Sequence, residues 1–183
     1  MVSIDKATAL RTHEKVKRAW EAETRRVRAA LAQAPTEDAD RAALTERLRR
    51  LEALDMAVIV SPGQNEIEDM KKVGIDIVPH RKRMNESRPP LDERFKDPAD
   101  PLALVFVCAM WLTGFDAPSC TYIYLDNELF NHNLFQAICR TNRLDGDDKD
   151  YGYIVDFKKL FDDVQEAIAV YSSDELDIDQ GNG

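Results

Sequence analysis

Leu102-Ala103-Leu104-Val105-Phe106-Val107-Cys108, followed after a loop by Thr121-Tyr122-Ile123-Tyr124-Leu125 and later by Tyr151-Gly152-Tyr153-Ile154-Val155-Asp156, are the stretches whose reading decides the fold. Each is a largely apolar run of strand length, and helical spacing lies between and after them, over Asn133 to Arg143 and Leu160 to Tyr171. A strand with one face in water alternates polar and apolar side chains, whereas one that is apolar throughout must be covered on both faces. Apolar strands that alternate with helices therefore predict an α/β fold built on a parallel sheet with helices on either side. Ligands of such sheets sit beyond the carboxyl ends of the strands. The residues just past Cys108 and just past Leu125 are accordingly the first to search for chemistry.

Towards the amino terminus, Met56-Ala57-Val58-Ile59-Val60 is another continuous apolar run, closed by the turn residues Ser61-Pro62-Gly63, and a short helix is expected over Asn65 to Lys72. Val2-Ser3-Ile4 reads as a strand whose beginning is missing, so the chain is expected to be part of a larger protein. A long helical pattern follows through Leu10, Val16, Trp20, Val27 and Leu31. Pro35 ends it, Thr36 and Asp38 start a second helix, and Arg41 to Leu54 continues that helix with leucines at Leu44, Leu48 and Leu51, which predicts a charged helical hairpin inserted at about 33–55. Val78 to Pro101, rich in proline and charge, reads as irregular apart from one or two helical turns over Leu91 to Lys96. The organisation expected is one domain over residues 1–172 and an acidic tail over 173–183.

The 183 residues suffice for one domain with one core, and 44% hydrophobic with 32% charged residues is the balance of a soluble globular protein. No run approaches the length needed to cross a bilayer, and Met1 to Lys6 lacks the basic-then-apolar start of a secretory signal, so a cytoplasmic protein without a membrane partner is expected. Cys108, Cys120 and Cys139 form no Cys-x-x-Cys pair, and His13, His80 and His132 are scattered, so no metal site is expected from spacing. A formal charge of -9 argues against coating nucleic acid through a broad basic surface and leaves room for a narrow contact. Basic residues gather in the first half, as in Arg81-Lys82-Arg83, and acidic ones crowd the end; solvated surface is the plain reading of both.

Two constellations carry chemistry. Thr113-Gly114-Phe115-Asp116-Ala117-Pro118 lies just past a buried-type strand. Gly114 lets the backbone come close to a ligand, Thr113 can offer a hydroxyl and an amide to a phosphate, and Asp116 can accept from a ribose hydroxyl. The same residues also make sense as a plain turn. Gln136, Arg140 and Arg143, at i, i+4 and i+7, fall in one stripe of a helix. Guanidiniums suit phosphate because they stay charged and present forked donors. An exposed helix face with surface salt bridges is the alternative for this stripe.

Taken in order, these two stretches resemble motifs V and VI of superfamily-2 helicases and translocases. Met1 to Arg11, Pro79 to Met84, Arg94-Phe95-Lys96-Asp97-Pro98, Val105 to Trp111 and Tyr151 to Asp156 resemble more narrowly the restriction subunit of type I restriction-modification enzymes. The likeness spans nearly the whole chain. It implies the second RecA-like lobe of a DNA translocase motor, of the P-loop NTPase type. Arg143 would be the arginine finger and Arg140 its neighbour on the γ-phosphate, with Gln136, Asp116 and Gly114 toward the nucleotide. Thr113, Gly114 and Ser61 would face the DNA backbone. Cys139 and Asn142 depart from the glycines many relatives carry there. The chain has no Gly-x-x-x-x-Gly-Lys-Ser/Thr, so ATP and Mg2+ are expected in a preceding lobe, ahead of Met1, and the chain alone is expected to be inactive as ATPase and nuclease. Duplex DNA, that preceding lobe, and methyltransferase and specificity subunits are the implied partners. The rival readings are a lobe of another superfamily-2 helicase and a catalytically idle interaction module docked through the charged hairpin.

Overall fold

The computed structural model describes residues 1–33, 39–108, 117, 119–126 and 152–157. They form β1 (Val2–Ser3), α1 (Lys6–Gln33), α2 (Ala39–Ala53), β2 (Asp55–Ile59), α3 (Glu66–Lys72), α4 (Val78–Glu86), α5 (Leu91–Lys96), β3 (Leu102–Val107), β4 (Tyr122–Asp126) and β5 (Tyr153–Asp156). The strands make one sheet in the order β2-β3-β1-β4-β5, and every pairing is parallel. The short apolar fragment Val2-Ser3 is its central strand: Val2 is level with Val107 on one side and Leu125 on the other.

Side chains of a strand point alternately to opposite faces, and β2 and β3 use both. Ala57, Ile59, Val105 and Val107 join Val2, Ile123 and Leu125 in one cluster, capped by Leu91 and Phe95 of α5. Met56, Val58, Val60 and Phe106 join the other, capped by Ala9 and Leu10 of α1 and by Ile77, with Met70 of α3 packed against it. That two-sided burial is why these strands carry no polar alternation. Phe106, Leu10, Ile77 and Leu125 are almost wholly shielded; each such side chain contributes about 1.5–3 kcal/mol relative to exposure.

The hairpin is present, with Trp20 level with Leu51, Glu23 with Arg47 and Leu31 with Arg41, so α1 and α2 run antiparallel. Among the described residues none of α2 lies in the buried core, and the hairpin is held by the Trp20 indole donating to the Leu51 carbonyl at 2.9 Å, by Arg41 donating to the Leu31 carbonyl at 3.2 Å and by surface ion pairs.

One element departs from expectation. Val78 to Glu86, read as irregular, is the helix α4. Pro79 lies in its first turn, where a missing N–H costs nothing because that group has no partner inside the helix. The expected helices over 133–143 and 160–171 and the acidic tail lie outside the described residues. The described architecture is an α/β fold of the RecA-like kind, a five-stranded parallel sheet with flanking helices.

Candidate functional site

Because all strands run one way, their carboxyl ends share one edge of the sheet. Ser3 and Asp126 lie level there, as do Ile59 and Val107, so the segments that follow β1, β2, β3 and β4 start side by side. Asp5, just past β1, accepts from the Thr8 amide at 2.6 Å, and that bond holds its carboxyl below the usual range. It thereby satisfies one of the amides left open at the start of α1.

The loop after β2 is fixed by three charged side chains from three helices. Arg81 of α4 donates to both carboxylate oxygens of Glu66, each at 2.7 Å, and to the carbonyls of Val60 at 3.1 Å and Ser61 at 3.2 Å. Glu66, first residue of α3, also accepts from the Gly63 amide at 3.1 Å. Lys6, first residue of α1, brings its ammonium to 3.9 Å from the same carboxylate. Asn65 enters α3 through a left-handed conformation, φ 54°, which asparagine tolerates better than most residues. A Cβ on Gly63 would stand 3.1 Å from the Lys6 ammonium, so a side chain there displaces the lysine.

Two cations share one carboxylate, and the half-shielded cluster carries a net positive charge beside the exposed Ser61. Chemically it can offer an anion a fixed backbone and a positive field.

The opposite edge carries a lock of different character. Arg83 of α4 donates to the Asp55 carboxylate at 2.5 Å and to the Met56 carbonyl at 2.7 Å, while Arg94 of α5 bridges Asp55 and Asp100 at 2.9 Å each. Burial pushes the Asp55 carboxyl up, but the hydrogen bonds and charges of Arg83 and Arg94 outweigh it and hold the group below the ordinary range. This network ties α4 and α5 to the starts of β2 and β3.

Of the residues singled out from the sequence, Ser61 stands at the carboxyl edge, exposed, with its carbonyl held by Arg81. Thr113, Gly114, Asp116, Gln136, Arg140 and Arg143 lie outside the described residues; in chain order the first three come between β3 and β4, the others between β4 and β5. Lys6, Glu66 and Arg81 were not singled out. The available signal was Pro79 as a helix start, which turns Arg81-Lys82-Arg83 from a basic loop into a helix face.

The chain matches the family model for type I restriction enzyme subunit R domain 3 over residues 3–159. It is 47% identical over 85 residues to the type I restriction enzyme HindI endonuclease subunit of Haemophilus influenzae, covering 45% of this chain and 8% of that protein. It is 41% identical over 99 residues to the putative type I restriction enzyme MjaIXP endonuclease subunit of Methanocaldococcus jannaschii, covering 54% of this chain and 9% of that protein. The matched stretches are thus under a tenth of the length of these relatives.

Proposed function

Because the chain belongs to the family of type I restriction enzyme subunit R domain 3, we propose that it works as the second RecA-like lobe of that subunit's DNA translocase motor, in the cytoplasm. One observation carries this reading. The carboxyl edge of the sheet offers a rigid, net-positive loop at Ser61, and the segments bearing Thr113, Gly114 and Asp116, and then Gln136, Arg140 and Arg143, follow β3 and β4 in the chain, strands that end at that same edge.

In this proposal the edge has two tasks. Ser61, Thr113 and Gly114 meet the phosphates of duplex DNA, with Lys6 and Arg81 supplying positive field behind Ser61. Phosphate contacts carry no base sequence, so binding by this lobe is indifferent to sequence, and target choice belongs to the specificity subunit, which acts with the methyltransferase subunits. Arg140 and Arg143 project their guanidiniums toward a triphosphate, with Gln136 in the same row and Asp116 and Gly114 near the sugar. ATP with Mg2+, held mainly by the preceding lobe, supplies the free energy for movement. Two guanidiniums fit such a ligand because they remain charged and fork toward phosphate oxygens. The restriction cut is a property of the whole subunit.

The test is Arg143→Ala in a full-length subunit carrying this segment, assembled with its partners on duplex DNA. ATP turnover is expected to fall by about 10³ to 10⁵, the range for removal of an arginine finger, with DNA binding retained. Unchanged turnover would favour the idle interaction module. Strand separation during movement would favour a helicase of another kind.

A further inference from the structure

His13 and Glu14 of α1 and His80 of α4 bring two imidazoles and a carboxylate together on the helical layer. One ligand atom from each lies within 4.8 Å of the other two. The histidine rings meet edge to face with centroids 5.0 Å apart, and the far side of His13 packs edge-on against Phe106 at 5.3 Å. His13 is 6% exposed, and its Nδ1, buried without a hydrogen-bond partner, lies 3.8 Å from a Glu14 carboxylate oxygen.

A buried imidazole nitrogen without a partner is costly, because it has given up water and received nothing. Surface charge does not explain the arrangement, since Phe106 fixes the His13 ring from the core side. We infer that His13, Glu14 and His80 form a binding site for one divalent transition-metal ion of the zinc class, linking α1 to α4.

The chemistry fits the ligand set. Two imidazoles and one carboxylate are a recurrent zinc triad that leaves the fourth position to water. With bonds of about 2.0–2.1 Å, the ligand atoms of a tetrahedral site lie roughly 3.3 Å apart. Closing from the present spacing takes rotamer changes of Glu14, whose side chain is half exposed, and of the partly exposed His80, while His13 stays seated. Asp76, on the approach to α4, favours a cation, while Lys17 and Arg83 oppose one. The ion would clamp the two helices that also deliver Lys6 and Arg81 to the Glu66 cluster, and His80 precedes Arg81 directly.

Zn2+ titrated calorimetrically into the full 183-residue chain tests this. One equivalent is expected to bind and to raise the unfolding temperature. His80→Asn and Glu14→Gln change partly exposed side chains, and each is expected to weaken binding at least tenfold while leaving the circular dichroism of the metal-free chain unaltered. Cobalt(II) should give the visible bands of a tetrahedral nitrogen-and-oxygen site, without a sulfur-to-metal charge-transfer band. Binding that survives both substitutions, a charge-transfer band from Cys108, Cys120 or Cys139, or no binding at all would overturn the assignment.

Discussion

Arg81 is held by a carboxylate and two main-chain carbonyls at once, which is a task for a rigid planar fork. Lysine presents a point charge on a flexible stem, so Arg81→Lys is not a conservative change here. Arg81→Ala is expected to destabilise the chain by about 1–3 kcal/mol, as loss of hydrogen bonds to a charged group does, and to loosen the loop over 60–63. Urea unfolding measures the first effect and amide exchange at Gly63 the second; Arg81→Lys should recover only part of either. At the other edge, Asp55 sets a pH dependence. Its carboxyl is depressed in the folded chain by Arg83 and Arg94, and the Arg94 hydrogen bonds depress Asp100 as well. A depressed carboxyl stabilises the fold fully above the unfolded value of about 3.9 and ceases to do so as pH falls through the folded value. The urea midpoint is therefore expected to drop as the pH is taken below about 5. Asp55→Asn should start lower at neutral pH and show a shallower drop. The ionic partners of Asp55 were not legible in the sequence because Arg83 and Arg94 are distant along the chain and meet it only through the packing of two helices.

Among the elements, strands and helices differed in how openly the sequence declared them. β2, β3 and β4 fall within a residue of the expected runs; in β2 and β3 burial on both faces leaves a continuous apolar signature, whereas β4 buries Ile123 and Leu125 and leaves Tyr122 exposed, so its apolar run overstated its covering among the described residues. α4 was hidden, because its sequence Val78-Pro79-His80-Arg81-Lys82-Arg83-Met84-Asn85-Glu86 has scarcely any apolar stripe. Its inward contacts are made largely by arginines whose heads reach backbone and carboxylates, so the periodicity that announces most helices is missing. The hairpin of α1 and α2 was legible from its leucines and Pro35, yet across the pair it is tied by the half-buried Trp20 indole on the Leu51 carbonyl, by Arg41 on the Leu31 carbonyl and by exposed ion pairs, which contribute little each. Trp20→Phe keeps most of the apolar body and removes the bond to the Leu51 carbonyl. It is expected to cost about 0.5–1.5 kcal/mol, read from urea unfolding. Local opening of α2, seen by amide exchange, should grow more than opening of the sheet.

For the whole molecule, membership of the type I restriction enzyme R subunit family was legible before any coordinates, through stretches scattered along nearly the entire chain. The absence of a phosphate-cradling Gly-x-x-x-x-Gly-Lys-Ser/Thr bears on activity at this scale. The purified chain is expected to show no ATP turnover above background in a phosphate-release assay, with or without duplex DNA; robust turnover would sink the reading that a preceding lobe holds the nucleotide. A net charge of -9 fits the proposal that any DNA contact is confined to one edge. The sequence by itself determined the fold class and the family. Both are written in local signals: apolar runs of strand length, turn residues and ordered motifs, each readable from neighbours along the chain. Tertiary structure alone decided which charges meet. Lys6, Glu66 and Arg81 come from three helices, and His13 faces His80 across two, because the order of parallel strands fixes which helix starts share an edge. Hydrophobic burial is non-directional and marks residue types, whereas ion pairing and metal ligation depend on angstrom distances that only the packed sheet and its helices set.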